Sequence, residues 1–286
     1  MIDVTVDSAQ LIATGARRLH SAGLAHSARE ARWIWESLTG FSGVQIYTTD
    51  RVDSPEFHDA WERALCRRGA GEPLAHVLGQ AAFRDFTLHS DARGLIPRPE
   101  TEGLVDLVLS NLRTGRVLDA CTGSGCIALS LAQEGEYHQV LASDISPSAL
   151  SLARENVALL RLPVGTVLGD LTTMIASCSL EVLVSNPPYL SEDEYQRLDE
   201  SVKSWEPAKA LVGGPDGLDL TWRIMKDGLR VVRPGGLLAL ELDCSRAAAV
   251  CREAVMMGWR EVSLQDDLFG RARYLLAWRS DDSDVG

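Results

Sequence analysis

Beyond Arg116 the chain alternates short apolar runs with stretches of helical periodicity, and that alternation restricts it to a mainly parallel sheet wrapped by helices. Residues 117–119, 140–144, 164–168, 182–185 and 237–242 read as strands, with helices over 126–132, 147–160, 218–232 and 246–257 between them. Residues 261–264 and 274–278 bring the strands to seven. Arg233-Pro234-Gly235-Gly236 reads as a turn before the fifth strand. The Ser146-Pro147 pair marks a helix start, cap followed by first-turn proline.

At 286 residues the chain is too long for that sheet alone, and its first 75 residues carry a different signal. Asp7 is placed to cap a helix bearing Leu11, Ile12, Ala16 and Leu19, and Ser27 to Glu30 has the spacing of a capping box. Ser54-Pro55 opens a third helix with Phe57, Ala60, Trp61, Ala64 and Leu65 along one stripe. Such stripes need one another, which predicts a small helical bundle over 1–75. Alternation around Phe83, Phe86 and Leu88 predicts a β-hairpin in a linker over 76–96. The sheet domain is expected over 97–280, with a helix begun by Glu100 or Thr101, and a loose acidic tail over 281–286.

Charge narrows the possible partners. With 28 Lys and Arg against 40 Asp and Glu, the net charge of −12 opposes a phosphate backbone, and only Lys203, Lys209 and Lys226 are lysines. The N-terminus has neither an early cation nor an apolar run, and no apolar stretch approaches a membrane span, so a cytoplasmic protein is expected. The six cysteines form no C-x-x-C pair, which predicts reduced thiols and no metal site.

Three strand ends carry candidate chemistry. Thr122-Gly123-Ser124-Gly125 follows the first strand and suits either a ligand cradled at a helix N-terminus or a tight packing turn. Asp144 ends the second strand, where a carboxylate accepts both hydroxyls of a ribose; as a helix N-cap it fits equally well. Asp170 is placed to accept from an adenine amino group or to sit in an exposed turn. After the fourth strand comes Asn186-Pro187-Pro188-Tyr189. Its prolines lack N–H groups and stiffen the loop, leaving the Asn186 side chain and carbonyl oxygens to face a ligand. If Asn186 and the Pro187 carbonyl each accept one N–H of an NH2 group, its nitrogen lone pair is aimed at an electrophilic methyl, with Tyr189 packed on the flat face. The plain alternative is a rigid proline turn with a buried tyrosine.

With this tetrad the chain resembles the HemK/PrmC family of release factor glutamine methyltransferases. The resemblance spans nearly the whole sequence. Gly71 to His76 with Gly79 and Phe83 is similar to the family's linker, and the run from Ile96 to Glu102 to its signature. Thr122 to Gly125 resembles its glycine loop, and Glu206-Pro207 with Ala210-Leu211 a further segment. The family implies a Rossmann-like class I S-adenosyl-L-methionine-dependent fold of seven strands. It also implies methyl transfer to the side-chain N5 of the glutamine in a release factor's Gly-Gly-Gln motif, without metal or covalent intermediate. Catalysis is then expected from Asn186, Pro187, Pro188 and Tyr189. Cofactor contacts are expected from Cys121, Thr122, Gly123, Ser124, Gly125, Asp144, Ile145, Asp170, Leu171 and Asn186. The helical N-terminal domain is expected to hold the release factor, and the protein to be a monomer without stable nucleic-acid binding. Cys121 stands where the family usually has glycine, and Leu171 where an aromatic is common. A Cβ at Cys121 is expected to crowd the methionine end of the cofactor. Competing readings are methylation of an exocyclic amine of RNA or DNA, a cofactor-binding protein without turnover, and a nicotinamide oxidoreductase that leaves the tetrad unused.

Overall fold

The structure, a computed structural model, describes residues 7–43, 45–48 and 54–280. It divides into two units, residues 1–80 and 81–286. The expected tail over 281–286 lies outside the described residues.

The first unit is helical, with α1 (Ser8–Ser21), α2 (Ser27–Thr39), α3 (Gln45–Thr48), α4 (Pro55–Gly69) and α5 (Leu74–Leu78). Asp7 caps α1 by accepting from the Ala9 N–H at 3.0 Å, and Ser54 caps α4 by accepting from Phe57 at 3.1 Å. Leu19, Ile34, Trp35, Trp61 and Leu65 close the core. The capping box expected at Ser27 does not form. His26 is the N-cap, without a side-chain bond, and Glu30 is buried with both oxygens on Arg68 of α4, at 2.7 and 3.2 Å. A charged fork joining two helices outweighs one local hydrogen bond at a helix end.

In the second unit the hairpin of β1 (Gln80–Phe83) and β2 (Phe86–His89) sends Phe83 and Leu88 into the main core, so the expected linker is divided between the units near Gln80. Arg84, at the hairpin turn with φ 49°, donates from Nε and Nη2 to both oxygens of Glu134 at 2.6 Å. Then follow α6 (Pro99–Asn111), β3 (Thr114–Ala120), α7 (Cys126–Glu134), β4 (Glu136–Asp144), α8 (Pro147–Leu160), β5 (Val164–Leu168) and β6 (Leu180–Ser185). The chain continues through α9 (Glu192–Arg197), α10 (Glu200–Lys203), a 3-10 turn (Ala208–Ala210), α11 (Asp219–Val231), β7 (Val232–Glu241), α12 (Ala247–Met257), β8 (Trp259–Asp266) and β9 (Ala272–Arg279).

The seven-stranded sheet runs β5-β4-β3-β6-β7-β9-β8, with β9 antiparallel to both neighbours. Strand order reverses at β3, which pairs β4 on one side and β6 on the other; open α/β sheets bind ligands in the crevice at such a point. Ala120 lies opposite Ser143 and Ser185, Asp144 opposite Leu168, and Ser185 opposite Leu240, so these carboxyl ends stand in one row. The fifth strand differs from expectation. The backbone stays in β7 from Val232, absorbing Gly235 (φ 70°) through a register shift against β6, so Arg233 to Gly236 form a bulged strand start. Helix α6 begins at Pro99 with Arg98 as cap, two residues before Thr101, because proline at the first helical position loses no hydrogen bond. Thr101 thereby falls within the first turn and is buried.

Candidate active site

The turn after β3 bends through left-handed backbone at Cys121 (φ 60°), Gly123 (φ 56°) and Gly125 (φ 86°). The Thr122 N–H donates to the Ser143 carbonyl at 2.9 Å, and Gly125 to the Thr122 carbonyl at 2.9 Å, before α7 begins. Asp119 holds this turn from below: its Oδ2 accepts from the Thr122 hydroxyl at 2.5 Å and from the Ala128 N–H at 3.2 Å. Fully buried, with Oδ1 lacking a hydrogen-bond partner, its carboxyl is pushed up to about 7 by desolvation. Asn156 of α8 accepts from the His89 N–H and donates to the Ser124 carbonyl at 2.9 Å, linking hairpin, helix and turn. Burial pushes the Cys121 thiol up to about 12, with the Asp144 charge adding to it, so the sulfur is a neutral wall.

Asp144 is not the cap of the helix that follows it. Ser146 is the N-cap of α8, accepting from Ala149 at 3.3 Å. The Asp144 oxygens each take one backbone N–H, Oδ2 from Gly123 at 3.0 Å and Oδ1 from Ser146 at 2.8 Å. Each oxygen keeps acceptor capacity for one further donor, the requirement for two vicinal hydroxyls. Burial raises the Asp144 pKa. Asp170 is paired with Arg223 at 2.6 Å, which occupies one of its oxygens. Leu171, at φ 53°, is buried and accepts from the Ser143 hydroxyl at 3.3 Å.

These strand ends enclose a cavity of about 390 Å³. Among the expected cofactor contacts, Cys121, Thr122, Gly123, Ser124, Asp144, Ile145, Asp170, Leu171 and Asn186 line it; Gly125 does not and instead closes the turn as N-cap of α7. Among the tetrad residues, Asn186 and Pro188 line the cavity, Pro187 is buried and Tyr189 is half-buried outside the wall. Ile145 exposes 63% of its surface, offering an apolar side chain next to the Asp144 acceptors. A Cβ built on Gly123 meets no atom within 4 Å, so the space over the turn is left for a ligand. Open acceptors, an apolar wall and a side-chain-free cradle fit a nucleoside.

Residues 10–79 match the PrmC N-terminal domain and residues 100–202 the Methyltransferase small domain. The release factor glutamine methyltransferase of Deinococcus radiodurans is 37% identical over 275 residues, covering 94% of this chain and 98% of its own. That of Moorella thermoacetica is 39% identical over 280 residues, covering 96% and 99%. The chain belongs to the release factor glutamine methyltransferase family. Its cofactor is therefore S-adenosyl-L-methionine, and the Asp144 acceptors and open Gly123 cradle suit that group. Two solved structures share the fold. A methyltransferase from Pyrococcus furiosus has TM-score 0.55 at 19% identity, covering 70% of this chain and 92% of that one. The hMettl16 catalytic domain has TM-score 0.56 at 19% identity, covering 82% and 84%.

The family's signature segments meet in this methyltransferase. Arg98 donates from Nη2 to both oxygens of Glu206, at 2.6 and 2.8 Å, joining the Pro97-Arg98-Pro99 run to the Glu206-Pro207 segment; both contribute residues to the cavity lining. Several contributors escape sequence reasoning. Gly213 and Gly217 wrap the tetrad: a Cβ on Gly213 would lie 2.3 Å from the Pro188 carbonyl oxygen, and one on Gly217, at φ 79°, 2.3 Å from that of Tyr189. The Gly213 N–H also donates to the Leu190 carbonyl at 2.9 Å. A Gly-Gly-Pro-Asp-Gly run was visible, but its partner was not. Thr101 and Glu241 were also missed: Asn186 Nδ2 donates to Thr101 Oγ1 at 3.1 Å, and the Thr101 hydroxyl to Glu241 Oε2 at 2.8 Å.

Proposed function

We propose that this enzyme methylates the side-chain N5 of the glutamine in the Gly-Gly-Gln motif of a peptide-chain release factor. The observation that carries the reading is the orientation of Asn186: its NH2 is tied to Thr101 inside the protein, so the carboxamide oxygen is the end of this cavity-lining residue left for substrate. When bound, S-adenosyl-L-methionine supplies a sulfonium methyl open to in-line attack.

Asp144 would accept from the ribose hydroxyls, and the turn from Cys121 to Gly125 would receive the methionine end. Ile145 and Leu171 would offer apolar surface to the base, and Asp170, paired with Arg223, a carboxylate oxygen to its amino group. Asn186 Oδ1 and the Pro187 carbonyl accept the two amide hydrogens of the substrate. A carboxamide nitrogen is a weak nucleophile because its lone pair is delocalised; fixing both hydrogens aims the lone pair and removes an entropic barrier worth several kcal/mol. Pro188 stiffens the loop, and Tyr189 packs behind it with a neutral hydroxyl, which burial pushes up to about 12. No strong base is required, because the nitrogen becomes acidic on methylation and sheds its proton late.

The helical region over 1–75 holds the release factor while its loop enters the cavity. The protein acts as a monomer in the cytoplasm without stable nucleic-acid binding. Among the described residues no helix is long and apolar enough to cross a membrane. Mass spectrometry of a release factor incubated with enzyme and S-adenosyl-L-methionine tests the reading. One added methyl on the Gly-Gly-Gln glutamine, absent when that glutamine is replaced, is expected; an unmodified factor alongside methylated RNA would overturn it.

A further inference from the structure

Glu241 is a carboxylate in an unpromising place. It ends β7, is 2% exposed, and has no hydrogen-bonded cation; its bonds are to Thr101 and to Asn186. Burying a charge this way lowers stability, and an apolar residue would fill the position at smaller cost. Thr101, 3% exposed, donates to Glu241 at 2.8 Å and accepts from Asn186 at 3.1 Å, and the Asn186 NH2 also faces Glu241 directly.

The hydrogen-bonding inventory makes this chain directional. An ionised carboxylate only accepts, so Thr101 must spend its one proton on Glu241. Its oxygen is then available to Asn186 only as an acceptor, which requires the amide NH2 and excludes the amide oxygen. We infer that Thr101 and Glu241 are positioning residues that fix which way the Asn186 carboxamide faces, turning Nδ2 inward and Oδ1 toward the substrate amide. This rests on the reading of Asn186 as the substrate's acceptor. Thr101 lines the cavity beside Asn186 and Glu241 does not; both act through Asn186.

Protonation reverses the chain. A neutral Glu241 donates to Thr101, Thr101 then donates onward, and Asn186 answers by turning its oxygen inward and its NH2 toward the substrate, where two donors face each other. Desolvation lifts the Glu241 pKa to about 7. The groups facing it are Arg273 and Tyr274 on β9, Glu100 and Thr101 on α6, Tyr189 and Asn186 after β6, and the Cys126 thiol of α7, which burial pushes up to about 12 and keeps neutral. Arg273 favours the charged form and Glu100 disfavours it; Arg273 is itself bonded to Asp267 at 2.8 Å, while both tyrosines are held up to about 12 and stay neutral.

The test measures kcat at saturating S-adenosyl-L-methionine and release factor, together with cofactor Kd, for Thr101→Val, Thr101→Ser, Glu241→Gln and Asn186→Ala. Valine keeps the shape of threonine and loses the hydroxyl, so kcat is expected to fall about 10- to 100-fold with Kd changed less than about threefold. Serine is expected to restore kcat to within about threefold of wild type. Adding Thr101→Val to Asn186→Ala is expected to cost nothing further, since both remove the same oriented oxygen. The wild-type rate is expected to fall as pH drops through about 7, and that acid limb to vanish in Glu241→Gln. Full activity in Thr101→Val, equal losses of kcat and cofactor affinity, or an unchanged acid limb in Glu241→Gln would each overturn the inference. Asn186→Ala separates the two levels. If it is inactive while Thr101→Val is normal, only the relay falls; if it retains wild-type turnover, the reading of Asn186 falls with it.

Discussion

Asp144→Asn separates binding from structure at the proposed ribose position. Both oxygens of Asp144 already hold a backbone N–H, from Gly123 at 3.0 Å and Ser146 at 2.8 Å, and each has one acceptor position to spare. An asparagine keeps one oxygen. Whichever way the amide is turned, its NH2 confronts one of those backbone donors and one ribose hydroxyl. Two consequences of different size follow. Without cofactor the loss is one backbone bond to a charged acceptor, about 1–2 kcal/mol, reduced because the buried charge and its desolvation also disappear. With cofactor, both charge-assisted bonds become neutral, one of them with the hydroxyl turned to accept from the NH2, about 2–3 kcal/mol or about 30- to 150-fold in Kd. Titration calorimetry with S-adenosyl-L-methionine and with S-adenosyl-L-homocysteine measures the second quantity, and urea unfolding of the cofactor-free protein the first. A Kd within about threefold of wild type beside the full stability loss would refute the ribose assignment and leave Asp144 as a brace for the turn.

Other expectations follow from the same geometry. Asn186→Ala removes the acceptor proposed for the substrate amide, so methyl transfer measured with radiolabelled cofactor should drop at least about 100-fold while cofactor Kd stays within about threefold; equal losses would contradict the role. Gly213→Ala drives a Cβ to within 2.3 Å of the Pro188 carbonyl oxygen and 2.7 Å of that of Gly217, backbone that cannot swing aside, so thermal unfolding should report a loss of about 1–3 kcal/mol together with reduced turnover. Asp119 governs part of the pH dependence. Its folded pKa of about 7 lies above the ordinary carboxyl value near 3.8, so the native state holds a proton that the unfolded chain has released. That contribution is full below the ordinary value and is lost as pH rises toward about 7. Asp119→Asn should therefore flatten urea midpoints measured across this window, and an unaltered slope would place the titration elsewhere.

The fold was legible where burial is complete on both faces. Residues 182–185 are all buried, Val182 to Val184 form an apolar run that no surface strand carries, and the sequence marks β6 from its third residue to its end. The first residues of β4 escaped notice for the opposite reason. Glu136 and Gln139 are exposed and pair with Thr114 and Arg116, so sheet bonding continues where hydrophobic patterning has stopped. Local signals also failed where a distant partner competed. Ser27 and Glu30 have the spacing of a capping box, but Glu30 serves Arg68, 38 residues away, and spacing says nothing about that arginine.

The site divides along the same line. Cys121 illustrates what a single position can reveal: the turn needs φ near 60°, which glycine adopts without cost, and this chain accepts the strain of a side chain in left-handed backbone. Asp144 and the glycine turn are neighbours across paired strands, so a reader who knows the strands can place them together. Thr101, Asn186 and Glu241 are not recoverable in this way. Threonine in a first helical turn and glutamate at a strand end are commonplace, and the bonds joining them span 85 and 140 residues. What creates the relay is the order of strands: β7 lies beside β6, so Glu241 stands next to the residue following Ser185, and α6 begins early enough at Pro99 to bury Thr101 between them. A motif therefore names the candidate group, while the partners its side chain bonds to, Thr101 and through it Glu241, lie in sequence contexts that carry no sign of it.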